Sequence, residues 1–444
     1  MNKNKVEHLK QSHLEEVLDF CVELSRRMIV SGANLERVDL AVNQICHTYG
    51  LKDVSIYLLS TYMSLGAKDS EGRYASRQIS IPAAGIHLEK LKKLNRLSYT
   101  IAKNRPAPET LMASLEEASQ VKEYKDWMVL LGQITAMICL CVIFGGGWRE
   151  AIAVSVVTAV LHMVMILMAK PGLDRIVTNA ITMWLATVAV ILLMGSGIST
   201  NGPVILITIS MLVIPGIPLV NAARNLLCGN EMNGILQIAK AVVETLSLAM
   251  GIVIALWMFG LKEGMNAAVV TPISDPVLLI LISFMASASF GVVFRIPFHD
   301  LWRAGLGGVL TRIVLLVMTS FTQERLIYIT AAAFVGSLYA EMMAVKRKDP
   351  STYFVYPSIV PLIPGDLFYY SLVGLYLSDR AMFEKNGTDC LLVLVGMSIG
   401  FVLSSIFAHY IRKMRHTRAV RRSMTETMKS ALMALPWLKD QSEK

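Results

Sequence analysis

The sequence has few charged residues and lacks the spacings that mark disulfide, zinc and nucleotide sites. Only 17% of its 444 residues are charged, against about 25% in soluble domains. Its six cysteines form no disulfide or zinc spacing, and no Gly-x-x-x-x-Gly-Lys-Ser/Thr loop is present. We therefore expect no metal, no cofactor and no direct use of ATP. What remains is an apolar excess, 54% of the residues, which needs lipid to cover it.

Signals for export and for catalysis are also absent. The Met1 end lacks the short apolar core of a cleavable signal peptide, so the polar residues 1–126 are expected to stay in the cytoplasm. This segment shows no nucleophile elbow or triad motif, and no cluster of catalytic residues stands out elsewhere, which disfavours an enzyme. The net charge is +9, and the basic residues lie largely beside apolar runs. This position indicates membrane orientation rather than nucleic-acid binding.

Ten apolar runs between Trp127 and Tyr410 are long enough to cross a bilayer, which takes about 17–25 residues per crossing. They lie near 127–144, 151–169, 176–194, 204–223, 235–261, 277–294, 304–321, 326–345, 353–377 and 390–411. Lys and Arg are commoner in the loops on the side of residue 1, and the tail 412–444 is basic. This bias predicts that both termini are cytoplasmic.

The membrane region matches itself at a shift of about 150 residues. The matching pairs are Phe144 and Phe294, Glu150 and Asp300, Arg175 and Arg325, and the dipeptides Pro215-Gly216 and Pro364-Gly365. Because five spans is an odd number, the second copy would enter the membrane from the opposite side. The sequence therefore predicts an α-helical polytopic membrane protein whose residues 127–261 and 262–411 form a 5+5 inverted repeat, an architecture that many secondary carriers use.

One tripeptide interrupts an apolar stretch in each half. Ile214-Pro215-Gly216 lies inside 204–223, and Ile363-Pro364-Gly365 lies inside 353–377. A broken helix frees backbone groups that lipid cannot satisfy, so such breaks survive only when buried in protein or facing a watery cavity. A matched pair of Pro/Gly-interrupted spans points to a transporter binding site. We predict a carrier with two broken helices, and a plain proline kink without a ligand is the alternative.

The first break starts a half-helix whose leading N–H groups have no intrahelical partner. With the positive end of the helix dipole, these groups suit a carboxylate. The predicted substrate-binding residues here are Pro215, Gly216, Ile217, Pro218, Asn221 and Arg224.

The second break differs because Asp366 takes the place of Ile217. Its carboxylate could cap the free N–H groups, so we predict that the first break binds a carboxylate while Asp366 binds a proton or a substrate ammonium. The predicted substrate-binding residues here are Pro364, Gly365, Asp366 and Tyr369, and the predicted proton-coupling residues are Asp366, Glu244 and Glu341.

Other ionisable residues lie at membrane depth, where a charge costs about 2.5–3.5 kcal/mol and usually faces the bundle interior. Arg312 aligns with His162 of the first half, and both a structural partner and a substrate contact are open for it. Lys240 and Glu244 form an i, i+4 pair, so Lys240 pairs with Glu244 or snorkels. Glu341 is otherwise an interfacial residue.

The first 126 residues predict a small cytoplasmic α/β domain. Residues 12–31 and 35–49 have the pattern of amphipathic helices separated at Gly32, with Asn34 as N-cap. Residues 54–60 and 74–81 have the composition of strands, with a turn at 69–72. Residues 88–103 and 108–122 are predicted to be helical. A gating, assembly or structural role is expected.

These motifs resemble the threonine/serine exporter family (ThrE-like) over nearly the whole chain. The segment Val213–Arg224, followed by Gly229 and Gly234, resembles the family signature, and Ser31–Arg37 resembles its N-terminal region. Val360–Asp366 resembles the companion module. In some bacteria the two halves are separate small proteins that form a bipartite succinate exporter, so the resemblance implies a fused form.

The resemblance implies proton-motive-force-driven efflux of threonine and serine, or of C4-dicarboxylates such as succinate, across a bacterial inner membrane. Its partners would be the small-molecule substrate, protons and lipid. Asn225 departs from the acid found in many relatives, which moves the proton role towards Asp366 and Glu244. An uncoupled channel or facilitator, a receptor or assembly subunit, and a homo-oligomer remain open.

Overall fold

The computed structural model describes residues 3–82, 85–168, 175–213, 216–227, 229–260, 273, 275–347 and 349–433, with side chains described from 13 to 411 within these ranges except at 175. Ile214 and Pro215, the first two residues of the tripeptide at the first break, lie outside the described residues.

Two helices, a three-stranded sheet and two further helices form the N-terminal part. They are α1 (Lys3–Val30), α2 (Leu35–Thr48), β1 (Lys52–Leu58), β2 (Tyr62–Lys68), β3 (Tyr74–Ser80), α3 (Leu88–Asn104) and, after a 3-10 turn at Pro108–Thr110, α4 (Leu111–Ser119). Asn34 caps α2 as predicted, since its side chain accepts the N–H of Glu36 at 3.3 Å. The antiparallel sheet has the order β1-β2-β3.

The central strand β2 was missing from the sequence prediction, which had two strands. Met63, Leu65 and Ala67 alternate along it and are fully buried, the period of two expected of a strand. Gly66 interrupts this pattern, and glycine weakens a strand because it has no side chain to pack. The ring of Tyr74 on β3 occupies the place where a Cβ of Gly66 would lie, so a cross-strand neighbour supplies the missing packing.

Twelve helices follow. They are α5 (Asp126–Ile143), α6 (Trp148–Met168), α7 (Arg175–Gly195), α8 (Gly202–Val213), α9 (Gly216–Leu227), α10 (Glu231–Met258), α11 (Pro276–Val293), α12 (Phe298–Phe321), α13 (Arg325–Arg347), α14 (Thr352–Ser358), α15 (Gly365–Tyr376) and α16 (Arg380–Met433). In the described ranges, 8 helices are long and apolar enough to cross a membrane. Two bent pairs raise the number to 10, one joining α8 to α9 at 57° and one joining α14 to the segment that contains α15 at 42°. This is the architecture of a polytopic membrane protein, and α16 extends beyond its apolar part into the basic tail.

Each helix of the first half begins about 150 residues before the corresponding helix of the second half. Asp126 and Pro276, which begin α5 and α11, are 150 apart, and Gly216 and Gly365, which begin α9 and α15, are 149 apart. The helices α5 and α11 also end in the same way, because the N–H of Gly146 reaches Cys141 O and that of Ile296 reaches Gly291 O, each at 2.8 Å.

This shared ending is a Schellman-type cap, which needs a left-handed residue. The first copy uses Gly145 at φ +82°, and the second uses Arg295 at φ +61°. A side chain in this region costs about 1 kcal/mol or more, and the surroundings of Arg295 hold it there, since its Nη1 donates to Tyr124 O at 3.3 Å.

The N-terminal part contacts one end of the membrane helices. Leu88 N–H donates to Phe294 O at 3.0 Å, and Asn233 bridges Ser60 N and Leu58 O at 3.0 and 2.8 Å. We call this end of the helix bundle the N-terminal face. The opposite end carries Phe144, which lies one whole helix, about 27 Å at 1.5 Å per residue, from the start of α5.

Candidate substrate site between the two broken helices

The two helix breaks pack against each other across the halves. A Cβ at Gly216 would lie 3.0 Å from Cγ2 of Ile363, which belongs to the second break. A Cβ at Gly365 would overlap Sδ of Met211, in the last turn of α8. Each half-helix therefore starts with a glycine because the other half occupies the space that a side chain would need.

A cavity of about 210 Å³ lies beside the second break. Polar groups on its wall come from Arg312, Arg325 and Asp366, and Pro364 brings the break itself to the wall. The remaining lining is largely apolar and comes from both halves, namely Leu140, Ile143, Phe144, Met211, Leu315, Ile329, Val360, Pro361, Leu362, Ile363, Leu367 and Val393. An apolar pocket with a few convergent polar groups is the usual form of a small-molecule site.

Arg312 is buried, with 9% of its surface exposed. Its Nε donates to Ser283 Oγ at 2.9 Å. Within the described residues this is its one hydrogen bond, and it forms no ion pair with a carboxylate there. The guanidinium on the cavity wall is therefore not neutralised by described protein groups.

The first half has an equivalent of this contact. Gln133 and His162, 150 residues before Ser283 and Arg312, are joined at 2.8 Å between Gln133 Oε1 and His162 Nδ1. Both pairs connect the first two helices of their half. The second half thus keeps the linkage but replaces an imidazole by a permanently charged guanidinium.

The other two charged groups of the cavity differ in their partners. Arg325 Nη2 lies 3.4 Å from Asp389 Oδ2, so its charge is compensated. Asp366 lies in the first turn of α15, at the positive end of the half-helix, where a carboxylate is stabilised by free N–H groups and the helix dipole. The structure thus places Pro364 and Asp366 in the cavity wall.

The predicted residues of the first half-helix that the structure describes lie outside this cavity wall. Gly216 and Ile217 are buried in packing, and Pro218 is exposed. Asn221 Nδ2 donates to Tyr356 Oη at 3.1 Å, and that hydroxyl donates to Gly32 O at 3.2 Å.

Arg224 lies at the same end of the bundle. Its Nη2 donates to Ser405 Oγ at 3.2 Å and lies 3.9 Å from Glu36 Oε2. Together with the contact between Tyr356 and Gly32, this joins the segment 31–37 to both broken helices.

Tyr369, Glu244 and Glu341 also lie away from the cavity wall. Tyr369 is 1% exposed and packs edge-on against Tyr370, with ring centroids 5.6 Å apart. Glu341 is 8% exposed on α13, and Glu244 is half-buried on α10. Their roles in substrate binding or proton coupling stay predictions.

The sequence prediction missed a buried ion cluster at the N-terminal face. Lys92 of α3 places Nζ 2.9 Å from Asp300 Oδ2 and 3.2 Å from Asp349 Oδ2. Both aspartate side chains are 0% exposed and Lys92 is 8% exposed. Tyr353 Oη donates to Asp300 Oδ2 at 2.9 Å, and Arg303 also pairs with Asp300. A cation from the N-terminal part thus joins two buried anions of the membrane part.

The equivalent positions of the first half are joined without a cation. Glu150, 150 residues before Asp300, accepts the N–H of Gly147 at 3.1 Å and that of Thr200 at 3.2 Å. Ser199 and Thr200 hydroxyls donate to the same carboxylate at 3.3 and 3.1 Å. Since Asp349 is the counterpart of Ser199, the second half puts two like charges where the first has one. Lys92 and Arg347 contact both aspartates, and Arg303 and Arg96 each pair with one of them.

Fold and site define a polytopic membrane protein with a largely apolar cavity beside the second helix break, with three charged residues on its wall. Comparison with known proteins shows the family to which it belongs. Residues 19–259 match the threonine/serine exporter model ThrE, and residues 279–407 match a second threonine/serine exporter model, ThrE_2. The chain belongs to the threonine/serine exporter family, with both modules in one polypeptide. This is a family of transporters, and the resemblance noted from the motifs is confirmed.

Full-length and single-module relatives carry different names. The chain is 21% identical over 380 residues to the "Probable threonine/serine exporter" of Mycobacterium tuberculosis, covering 83% of this chain and 71% of that one. It is 19% identical over 418 residues to the threonine/serine exporter of Corynebacterium glutamicum, covering 90% and 84%. The "Probable succinate transporter subunit YjjP" of Klebsiella aerogenes is 22% identical over 256 residues, covering 57% and 97%. No solved structure matches.

Proposed function

We propose that this protein is a secondary active exporter of threonine and serine, with the substrate held in the cavity where the two broken helices meet. The observation that carries the proposal is the cavity wall itself. It places Arg312 and Asp366 beside Pro364, so a charged cation and a carboxylate face a space of about 210 Å³ at a helix break. A small zwitterion is complementary to such a pair.

Coupling to the proton-motive force is assigned to Asp366. A carboxylate at membrane depth exchanges protons more readily than a guanidinium, which stays charged. Asp366 lies next to the break, so a change in its charge acts on the same backbone that closes the cavity. Proton binding would then alter the affinity for the substrate ammonium.

Alternating access is assigned to the two five-helix halves. The matching helix starts support an inverted repeat, because five spans separate equivalent positions such as Phe144 and Phe294. Carriers of this architecture rock one repeat against the other around a fixed central site. Here the packing of Gly216 on Ile363 and of Gly365 on Met211 is the contact that would slide or open.

The cellular arrangement follows from the charge bias of the loops. We place the protein in a bacterial inner membrane, with residues 1–126 as a cytoplasmic domain and both termini cytoplasmic. The N-terminal face is then the cytoplasmic face. The contacts of residues 31–37 with Tyr356 and Arg224 make this domain a candidate gate for the substrate path.

Succinate is the second candidate substrate. A relative named as a succinate transporter subunit matches the first module, and the cavity has a second guanidinium in Arg325. That guanidinium is already paired with Asp389, and Asp366 repels a second carboxylate unless it is protonated. Threonine and serine therefore fit the charges better.

The test uses the purified full chain in liposomes with an imposed proton gradient and labelled threonine, serine and succinate. We expect threonine and serine to move with the gradient and to stop when a protonophore is added. Equilibration that is independent of the gradient would indicate a channel or facilitator instead. A preference for succinate would make the dicarboxylate, and not threonine and serine, the substrate.

A further inference from the structure

We propose that the guanidinium of Arg312 binds the carboxylate of the substrate and so determines the substrate class. This inference rests on the proposed function and deepens it. The sequence assigned the carboxylate to the first helix break, whereas the structure places a free cation at the second.

The first reason is the unused hydrogen-bonding capacity of Arg312. Its Nε is bound to Ser283 Oγ at 2.9 Å, and in the described part of the chain Nη1 and Nη2 have no hydrogen-bond partner. The side chain is nine-tenths buried and lies on the cavity wall. A guanidinium held at Nε still presents donors in a fixed plane, which matches the two oxygens of a carboxylate.

The second reason is the comparison with the other half. Gln133 and His162 make the same inter-helix contact at the equivalent positions, without a permanent charge. The contact with Ser283 therefore explains a polar residue at position 312 but not a guanidinium. A buried charge at membrane depth is costly and usually functional. We therefore assign the charge of Arg312 to ligand binding.

The third reason is the balance of charges around the cavity. Arg325 is compensated by Asp389 at 3.4 Å, and its charge also acts on Asp366. Among the described residues this leaves Arg312 as the cavity cation without an ion pair, and Asp366 is the carboxylate on the cavity wall. One cation and one anion select a zwitterion with a carboxylate at Arg312 and an ammonium at Asp366. A dicarboxylate would leave its second charge facing Asp366.

The test compares wild type, Arg312→Gln and Arg312→Lys in liposomes, with threonine and threoninamide, which lacks the carboxylate charge. We expect Arg312→Gln to raise the half-saturating threonine concentration more than tenfold and to abolish the preference for threonine over threoninamide. Arg312→Lys should recover part of both, since a lysine keeps the charge but not the planar fork. The matched control is His162→Gln, which should transport as wild type does.

Three outcomes separate the inference from the proposed function. If wild type transports threonine and Arg312→Gln keeps its half-saturation within twofold and its preference intact, the carboxylate role is wrong and the exporter stands. If Arg312→Gln does not fold, wild type alone still tests the inference. Threoninamide that competes with threonine as strongly as serine does would overturn it. If wild type moves no threonine with the gradient, the proposed function fails, and the inference fails with it.

Discussion

Replacing Lys92 by methionine is the perturbation that most directly probes how the N-terminal part is held on the membrane part. Lys92→Met keeps the length and apolar stem of the side chain but removes one of the two cations that contact both Asp300 and Asp349. The other is Arg347, at 3.5 Å from Asp300 and 3.6 Å from Asp349. Breaking a buried ion pair by deleting one partner costs about 3–5 kcal/mol when the remaining charge is left buried. Asp300 keeps Arg303 and Asp349 keeps Arg96 at 2.9 Å, and both keep Arg347, so we expect the lower end, about 3 kcal/mol.

The assay is thermal denaturation of the purified protein in detergent. At about 2 °C per kcal/mol, the lower end for large domains, Lys92→Met should lower the apparent midpoint by about 6 °C. Adding Asp349→Asn to this variant removes one of the two anions left without Lys92, so the double variant should regain most of the loss. This coupling distinguishes a charge effect from lost packing.

The control is Lys68→Met, which breaks the exposed pair of Lys68 and Asp53 at 2.7 Å. An exposed ion pair contributes little, so its midpoint should not change measurably. A Lys92→Met midpoint within 1 °C of wild type, or a double variant less stable than Lys92→Met, would refute the reasoning.

Three further predictions concern transport and docking. Asp366→Asn should abolish the pH dependence of transport, and a wild-type rate across pH would contradict its proton role. Gly365→Ala should impair transport because its Cβ overlaps Met211 Sδ; Met211→Ala should rescue it, and Gly195→Ala, at a site with nothing within 4 Å, should be harmless. Burial lowers the pKa of His87, whose Nδ1 caps α3. The unfolded chain therefore binds the proton better, and stability is lost as pH falls below about 6.5. His87→Asn should keep the cap and remove this acid sensitivity, measured as the pH dependence of the melting midpoint.

The helices and breaks were predictable because their signals are local. Apolar runs give the spans, and Pro364 and Gly365 locate the second break, since a proline removes a helical hydrogen bond wherever it lies. The strand β2 was not predicted because Gly66 interrupts its pattern. Packing from Tyr74 on the neighbouring strand replaces the missing side chain.

The buried cluster could not be predicted in the same way. Lys92 and Asp300 are 208 residues apart in the chain, and no periodicity connects an α3 lysine with the first turn of α12. The repeat did single out Asp300 through Glu150. Arg303 and Arg347 of the repeat pair with Asp300, but Lys92 comes from outside the repeat, and so the repeat held no signal for it.

The cavity shows a third kind of limit. Symmetry between the halves indicated that position 312 matters, through His162. Which of the two cavity arginines keeps an uncompensated charge depends on whether its side chain lies near a carboxylate. The structure answers this through Asp389, which compensates Arg325, whereas Arg312 has no ion pair among the described residues.

The most direct test of the central claim is substrate protection of the cavity wall. Leu315→Cys places a thiol in the cavity lining, and Gln323→Cys places one at an exposed position just after the same helix. The rate of maleimide labelling is measured with increasing threonine. We expect slower labelling at 315, half-maximal at the concentration that half-saturates transport, with no effect at 323. Unchanged labelling at 315 in a protein that transports threonine would place the substrate path elsewhere.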